Sequence, residues 1–396
     1  MEPKIRFIGH KSNWSVVALD KVTTARNASN ALVNNRNLLS LSYGKIVNKD
    51  IDSNKGLLPS SFSTYQIIEP DTIVFRGTDL QNDKRSLRVA ISKQKGIISP
   101  AYVTMDVTDE NILPDYLYLA MHWHDVAKKS YYKMGDGLRQ TLPYSVLKEL
   151  EIPFPNKSEQ QGIIAYFQKF DAKLQASAKK VESLKKLKSA SLVAMFPQNG
   201  ESMPKVRFKG FEGEWDKQSA SDLFLTIDER NRPELPVLSA CQDVRGMIPR
   251  DKIGFNISHD TSNEVTYKRV QPGQFVIHLR SFQGGFAHSS YDGIISPAYT
   301  VFDFKNKEQH DDYYWKIVFM SRSFIERLRL ITYGIRDGRS ISFNEFKELS
   351  FLFPSKEEQQ SIATFFRSLD RKIALETARL EKLKQIKLAC LDKMFV

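Results

Sequence analysis

Short runs in which apolar and polar residues alternate recur in two parts of the chain, and such runs predict half-buried β-strands. Turn residues divide two of the runs, at Pro70-Asp71 in the first part and at Pro272-Gly273 in the second. The clearest runs form two matching pairs, residues 38–47 with 237–248 and residues 66–75 with 269–279. The pattern therefore predicts two globular parts that contain β-strands in the same order.

The hydrophobic period changes to that of a helix after each globular part. Apolar residues then recur at spacings of three, four or seven, which places them on one face of a helix. They are Ile163, Phe167, Phe170, Leu174, Val181 and Leu184 in the first segment, and Ile362, Phe366, Leu369, Ile373, Leu380 and Leu383 in the second. Each segment spans about 38 to 40 residues, or roughly 55–60 Å, which is far longer than a typical globular helix.

Each predicted helix has a start signal. Asn156 with Glu159, and Ser355 with Glu358, match the N-cap and N3 positions of a capping box, in which side chains satisfy two backbone N–H groups. A helix of this length needs a partner for its apolar stripe, and the other long helix is the obvious partner. We therefore expect the two helices to form an antiparallel coiled coil. The alternative is that each helix folds back on its own globular part.

The chain repeats itself at a distance of about 200 residues. KELEIPFPNKSEQQGIIAYFQKFDAKL at 148–174 aligns without a gap with KELSFLFPSKEEQQSIATFFRSLDRKI at 347–373, and GIISPAY occurs at both 96–102 and 293–299. We predict an α+β fold in which two mixed α/β globular domains, related by a pseudo-twofold axis, are joined by the two long antiparallel helices. The predicted boundaries are 1–155 and 197–354 for the globular domains, and 156–196 and 355–396 for the helices.

The composition favours a polyanionic partner. The formal net charge is +12 and the pI about 9.4. A membrane surface is a weaker candidate, because no apolar run approaches the ~18 residues of a transmembrane span. The opening residues MEPKIRF lack an apolar signal core, and the two cysteines, Cys241 and Cys390, form no C-x-x-C motif. We therefore expect a cytoplasmic protein with reduced cysteines.

The sequence contains no recognisable catalytic constellation. It has no Walker motif, no D/E-x-K motif follows Pro70-Asp71, and the glycine-rich segment 282–286 has no accompanying motif for amino-group methylation. His122 and His124 form an H-x-H pair, but no third ligand lies at a recognisable spacing, so we expect no metal site. The pattern favours a protein that reads nucleic acid without modifying it.

Two loops that combine glycine with arginine precede the E-Q-Q segments, at 131–140 and 332–340. Glycine lets a backbone approach a phosphate closely, and Arg and Gln side chains reach base edges bidentately. An ordinary solvated turn is the alternative. The candidate DNA-binding residues are Lys133, Gly135, Gly137, Arg139, Gln140, Gly334, Arg336, Gly338 and Arg339, with Arg76 and Arg280 as the residues that close matching strands. The basic residues of the helices are interpreted first as a solvated face and second as DNA contacts.

Together these features resemble the specificity subunit of a type I restriction-modification system. The resemblance covers essentially the whole chain and rests on two variable globular domains, each followed by a Pro-terminated strand, an E-Q-Q motif and a long helix. The proline pattern differs between the copies, which read Ile152-Pro153-Phe154-Pro155 and Phe351-Leu352-Phe353-Pro354. That difference leaves the resemblance intact.

The resemblance implies that each globular domain is a target recognition domain that reads one half of a bipartite sequence in double-stranded DNA. It also implies that the helices set the gap between the halves and dock two methyltransferase subunits. S-adenosylmethionine would then be bound by those subunits, ATP and Mg by restriction/translocase subunits, and no cofactor by this chain. The helix residues that it assigns to partner binding are Glu159, Gln160, Gln161, Phe167, Glu358, Gln359, Gln360 and Phe366.

Two alternatives of other classes stay open at this point. One is a restriction enzyme or methyltransferase fused to its own reader, which the missing catalytic motifs disfavour. The other is a stand-alone DNA-binding protein or a coiled-coil adaptor that binds only protein; the formal charge of +12 disfavours the adaptor. The bases that are read do not follow from the sequence, because loop geometry decides them.

Overall fold

The computed structural model describes residues 3–32, 36–52, 58–78, 87–126, 141–198, 200–241, 246–252, 261–278, 285–331 and 341–395. The chain divides into two compact units: unit 1 comprises Met1–Ala178 and Ala378–Val396, and unit 2 comprises Lys179–Thr377. Each unit contains one globular part and a portion of each long helix. The units therefore cut across the predicted four-part division, because each one includes residues of both helical segments.

The strands of unit 1 are β1 (Ser15–Ala18), β2 (Thr23–Ala25), β3 (Leu39–Ser42), β4 (Lys45–Asn48), β5 (Gln66–Ile68), β6 (Ile73–Phe75), β7 (Val89–Ile91), β8 (Gly96–Ile98), β9 (Val103–Val107) and β10 (Glu151–Phe154). Those of unit 2 are β11 (Asp216–Ser219), β12 (Phe224–Ile227), β13 (Leu238–Cys241), β14 (Gly246–Pro249), β15 (Lys268–Val270), β16 (Phe275–Ile277), β17 (Phe286–Ser289), β18 (Gly293–Ile295), β19 (Thr300–Phe304) and β20 (Ser350–Phe353). Among the described residues each strand of unit 1 thus has a counterpart ten strands later.

The α-helices are α1 (Pro114–Val126), α2 (Tyr144–Leu147), α3 (Lys157–Ala194), α4 (Ala220–Leu223), α5 (Asp312–Met320), α6 (Arg322–Ile331), α7 (Phe343–Lys347) and α8 (Lys356–Met394). Short 3-10 turns lie at Leu19–Lys21, Arg250–Lys252, Thr261–Thr266 and Lys307–Gln309. The two predicted long helices are α3 and α8. Over the described ranges, no helix is both long enough and apolar enough to cross a membrane.

The strand pairing repeats from one unit to the next. In unit 1 the sheets have the orders β1-β10, β2-β9-β6-β7, β3-β4 and β5-β8. In unit 2 they are β11-β20, β15-β18 and β12-β19-β16-β17-β14-β13. The larger sheet of unit 2 arises because β14 pairs in parallel with β17, at Gly246 with His288 and Met247 with Ser289. The shared pairing means that both units place their loops on one scaffold.

The turn predicted in the second pair of runs is present in both units. The N–H of Thr72 donates to the carbonyl of Glu69 over 3.2 Å, and the N–H of Gln274 donates to the carbonyl of Gln271 over 3.1 Å. The residue after each proline has a positive φ, 70° at Asp71 and 88° at Gly273. Asp and Gly both tolerate this left-handed conformation, which a turn of this kind requires at its third position.

A close backbone approach explains the glycine that opens both copies of GIISPAY. A Cβ atom on Gly293 would lie 2.5 Å from the carbonyl oxygen of Pro236, and one on Gly96 would lie 2.7 Å from that of Asn37. The next residue in each copy, Ile294 or Ile97, donates its N–H to that same carbonyl over 2.9 Å. Only glycine leaves room for the two backbones to approach closely enough for this hydrogen bond.

Each hydrophobic core includes the tip of a long helix. In unit 1 the core of Trp14, Tyr116 and Trp123 includes Phe395, just beyond α8. In unit 2 the core of Trp215 and Tyr314 includes Phe196, just beyond α3. Helix α3 thus begins at the globular part of unit 1 and ends in the core of unit 2, and α8 does the reverse. The alternative in which each helix folds back on its own globular part is wrong.

The contacts between the long helices run antiparallel within each unit. In unit 1, Tyr166 and Asp171 of α3 meet Cys390 and Lys387 of α8, so the numbering rises along one helix as it falls along the other. In unit 2, Lys180 and Lys188 of α3 pair with Glu376 and Asp370 of α8 in the same sense. The predicted antiparallel arrangement is confirmed at these contacts, several of which are ion pairs.

Replacing Gly293 by alanine is expected to destabilise unit 2, because the new Cβ atom collides with the carbonyl of Pro236 and the side chain of Leu238. We expect a loss of about 1–3 kcal/mol in the free energy of unfolding, typical of overpacking. The control is Gly162→Ala in α3, whose Cβ atom would lie 3.6 Å from Phe7 and which should stabilise the helix by up to ~1 kcal/mol. Chemical denaturation measures the free energy of unfolding of both variants. Equal changes in the two variants would contradict the claim that the close backbone approach at Gly293 excludes a Cβ atom.

His310 is expected to make the stability of unit 2 depend on pH. Burial beside the rings of Phe304 and Trp315 lowers its pKa to about 4, with a smaller contribution from the charge of Lys356. The unfolded chain takes up this proton near pH 6.5, so stability falls as the pH drops from ~6.5 towards 4 and changes no further below that. In unit 1 the residue at the same place is the buried Ile112.

The measurement is thermal unfolding of wild type and His310→Ile between pH 4 and 8. The difference in melting temperature between them should move in favour of the variant as the pH falls through the stated window. A difference that stays constant with pH would show that His310 is not responsible.

Candidate nucleic-acid interface

Most predicted DNA-binding residues lie outside the described residues, and their assignment stays a prediction. They are Lys133, Gly135, Gly137, Arg139, Gln140, Arg280, Gly334, Arg336, Gly338 and Arg339. Arg76 is described: it follows β6, and its N–H donates to the carbonyl of Arg88 over 2.9 Å. Arg76 is therefore the predicted DNA-binding residue whose surroundings the structure describes.

Described residues on either side of the segment 127–140, which is outside the described part of the chain, make contacts close to Arg76. After that segment, the N–H of Leu142 donates to the carbonyl of Gly77 over 2.7 Å. Before it, the carboxylate of Asp125 in α1 accepts the backbone N–H of Arg88, the residue that precedes β7. The buried side chain of Arg88 in turn donates to the carbonyl of Thr78 over 2.7 Å. Arg76 and the flanks of the glycine and arginine loop thus share one corner of unit 1.

The corresponding corner of unit 2 contains a different residue at the position of Arg76. Strand β6 ends at Phe75 and β16 ends at Ile277, so the counterpart of Arg76 is His278, and the prediction that Arg280 occupies the equivalent place is wrong. The error arose because the loops after these strands have diverged and no shared motif fixes their alignment. The backbone N–H of His278 donates to the carbonyl of Gly285 over 2.9 Å, which extends the pairing of β16 with β17.

The E-Q-Q glutamates bind arginines from the start of each half. Glu159 receives two hydrogen bonds from the guanidinium of Arg6, each 2.8 Å long, and Glu358 receives two from Arg207, at 2.9 and 2.6 Å. The carboxylates are buried, with 1% and 2% of their side chains exposed. Hydrogen bonding to Glu358 raises the pKa of Arg207, which keeps the guanidinium charged. Each pair fastens a long helix to the opening segment of its half.

The predicted capping boxes are therefore only half formed. Asn156 accepts the N–H of Glu159 over 3.0 Å, and Ser355 accepts that of Glu358 over 3.5 Å, as an N-cap residue does. The reciprocal bond is replaced, because the arginines are stronger donors to a carboxylate than a backbone N–H group is. The helix start was predicted correctly and the partner of the glutamate was not.

The first glutamine of each motif joins its helix to the loop before α1 or α5. Gln160 accepts the N–H of Leu113 and donates to the carbonyls of Asn111 and Pro155, each over 2.9 Å. Gln359 accepts the N–H of Asp311 over 3.1 Å and donates to the carbonyls of Gln309 and Pro354. Both side chains are fully buried. A buried amide with three partners fixes the position of the helix start in each unit.

The structure separates the predicted partner-binding residues into two groups. Glu159, Gln160, Phe167, Glu358, Gln359 and Phe366 are buried and make contacts within the chain. Gln161 and Gln360 are exposed. Docking through this segment stays a prediction, and the two exposed glutamines are the residues that a partner can reach from solvent.

Sequence reasoning missed the arginines of this arrangement. Arg6 and Arg207 occupy the same place in the repeated PK-x-RF segments at the start of each half. That repetition was the available signal, since a charged residue kept at one position in both copies indicates a shared contact. Among the described residues no cluster of three or more His, Cys, Asp or Glu side chains is arranged to hold a metal ion.

Replacing Arg6 by methionine should destabilise unit 1, because it leaves the buried Glu159 carboxylate without its partner. We expect a loss of about 3–5 kcal/mol, typical of removing one member of a buried pair. The double variant Arg6→Met/Glu159→Met should recover much of that loss. Lys186→Met is the control, because it removes an exposed ion pair with Glu182 and should change nothing measurable. Urea denaturation measures the free energy of unfolding of all three variants. Equal losses for Arg6→Met and for the double variant would contradict the claim that an unpaired, buried Glu159 causes the destabilisation.

Comparison with known proteins identifies a family that matches both halves of the chain. The family model of the "Type I restriction modification DNA specificity domain" matches the chain twice, at residues 12–186 and 214–385. No curated protein matches this chain. A crystal structure of a Type-I restriction-modification system S subunit from M. genitalium is similar over 100% of this chain and 99% of its own, with 16% identity and a TM-score of 0.58.

A second solved structure, described as the structural basis of complex assembly and conformational transition of the type I R-M system, is similar over 98% of this chain and 99% of its own. Its identity is 16% and its TM-score 0.55. At such identity these two likenesses establish a shared fold. The family model, which matches most of the chain, carries the assignment beyond the fold.

Proposed function

Because this chain belongs to the family of type I restriction-modification DNA specificity subunits, we propose that it supplies the DNA address of such a complex and performs no catalysis itself. Each globular part reads one half of a bipartite, asymmetric target in double-stranded DNA. The observation that carries the proposal is the duplication: two family domains on one chain, matched in their internal contacts and unmatched in their loops.

The internal contacts support a modular reading. Both units repeat the arginine and glutamate pair, the buried glutamine and the phenylalanine at the helix tip. The loop segments at 79–86 and 279–284 share neither length nor sequence. A shared scaffold with different loops suits one task performed on two different base sequences.

The long helices are proposed to pair as a coiled coil, set the gap between the half-sites and dock two methyltransferase subunits, with restriction/translocase subunits in the full complex. Their antiparallel contacts and the exposed Gln161 and Gln360 support this assignment. S-adenosylmethionine would be bound by the methyltransferases, and ATP and Mg by the translocases. A cytoplasmic location, beside chromosomal DNA, completes the proposal.

The test is methylome sequencing of cells that express this chain with methyltransferase partners. Exchanging residues 1–155 for the equivalent segment of a family member should alter one half of the methylated sequence and leave the other half and the gap unchanged. The chain without methyltransferase subunits should bind duplex DNA and transfer no methyl groups. Simultaneous change of both halves would refute modular reading, and methyl transfer by the purified chain alone would refute the non-catalytic role.

A further inference from the structure

One corner of unit 2, where α5 meets α8, carries more positive than negative charge. Among the described residues, the charged groups that act on Lys316 there are the cations Lys188 and Arg367 and the carboxylates Asp312 and Asp370. The ring of Tyr313 lies among them. An excess of like charges at one place raises the free energy of the fold unless a counter-ion or ligand offsets it.

Both carboxylates of this corner are engaged by other side chains. Asp370 accepts hydrogen bonds from the ammonium of Lys188 and, over 2.8 Å, from the hydroxyl of Tyr313. Asp312 lies 2.6 Å from Nε2 of the buried His288, which holds the pKa of Asp312 below its usual value. Each carboxylate thus makes its hydrogen bonds to groups other than Lys316 and Arg367, while both still attract Lys316 through space and Asp312 also attracts Arg367.

Lys316 and Arg367 face the same aromatic ring. Nζ of Lys316 lies 5.2 Å from the ring centroid of Tyr313, and Cζ of Arg367 lies 4.6 Å from it. Within the described part of the chain neither side chain lies at ion-pair distance from a carboxylate. Burial lowers the pKa of Lys316, which means that its ammonium has lost solvation that an anion would replace.

Unit 1 shows that the fold does not require these cations. Tyr116 stacks on Phe395 as Tyr314 stacks on Phe196, which aligns α1 with α5 and places Tyr118 at the position of Lys316. The ungapped alignment of the E-Q-Q helices places Gln168 at the position of Arg367. Unit 1 thus has two uncharged side chains at the positions of these cations, so the shared scaffold itself does not require positive charge there.

We propose that Lys316 and Arg367 form a phosphate-binding site on unit 2, with the ring of Tyr313 holding both cations in place. Arg367 is exposed and Lys316 is partly buried, so oxygen atoms of a phosphate reach the guanidinium from solvent and the ammonium at the rim. The ligand chemistry is a phosphate oxyanion, whose source is either the backbone of duplex DNA or free phosphate. The first source rests on the proposed function, and the second does not.

The test compares Arg367→Gln, which introduces the residue that unit 1 has, and Lys316→Met with the matched control Arg371→Gln. Arg371 is exposed on α8, and its replacement changes the net charge by the same amount. The full chain is titrated with duplex DNA at several salt concentrations. Each site variant should reduce the slope of log K against log salt by about 1, the value for one lost phosphate contact, and the control by clearly less.

A second measurement identifies the source of the phosphate. Thermal unfolding is followed in sodium phosphate and in sodium chloride at equal ionic strength. Stabilisation of wild type by phosphate, lost in Arg367→Gln and kept in Arg371→Gln, supports free phosphate as a ligand; a reduced DNA slope without that stabilisation supports the DNA backbone. Circular dichroism verifies folding, and because Arg367 is exposed its variant tests the site even if Lys316→Met unfolds.

The proposal is overturned if both site variants match Arg371→Gln in both measurements. Tyr313→Phe provides a further check, because it removes the hydroxyl and keeps the ring, and should retain the site. If the chain binds no DNA, the proposed function fails while the phosphate measurement still decides whether the site exists.

Discussion

The burial of one phenylalanine at the end of each long helix is the contact on which the rest of the structure depends. Phe196 and Phe395 enter the aromatic cores of unit 2 and unit 1, and each stacks on a tyrosine of α5 or α1. Burying a side chain of this size contributes roughly 1.5–3 kcal/mol, and the aromatic contacts add to it. Neither core is complete without a helix that begins at the other globular part.

Polar contacts determine where each helix starts, as the apolar tip determines where it ends. The paired Arg and Glu side chains and the buried glutamine connect the first turns of α3 and α8 to two separate segments of their own globular part. Buried polar groups of this kind tolerate few alternative positions, because any displacement leaves donors or acceptors unsatisfied. The same arrangement in both units indicates that the direction of each long helix is fixed separately, by contacts at its own first turn.

The sequence predicted those features that depend on neighbours along the chain. The strand periodicity, the turns at Pro70 and Pro272 and the starts of α3 and α8 follow from local patterns, and the structure confirms them. The partner of Glu159 could not be predicted in this way, because Arg6 lies 153 residues away and competes with a local backbone group. The counterpart of Arg76 was misassigned for a related reason: strand register, a property of the folded sheet, decides it.

The division of the chain between the units has a consequence for its synthesis on the ribosome. Unit 2 is one continuous stretch, Lys179–Thr377, whereas unit 1 combines Met1–Ala178 with Ala378–Val396. The segment Met1–Ala178 is therefore translated first but lacks Phe395, the last residue of its core, until the whole of unit 2 has been translated. Its aromatic pocket stays open during that time. Domains usually fold in the order of translation. Here the order of completion is reversed, and the nascent first half is the part that most needs protection from aggregation.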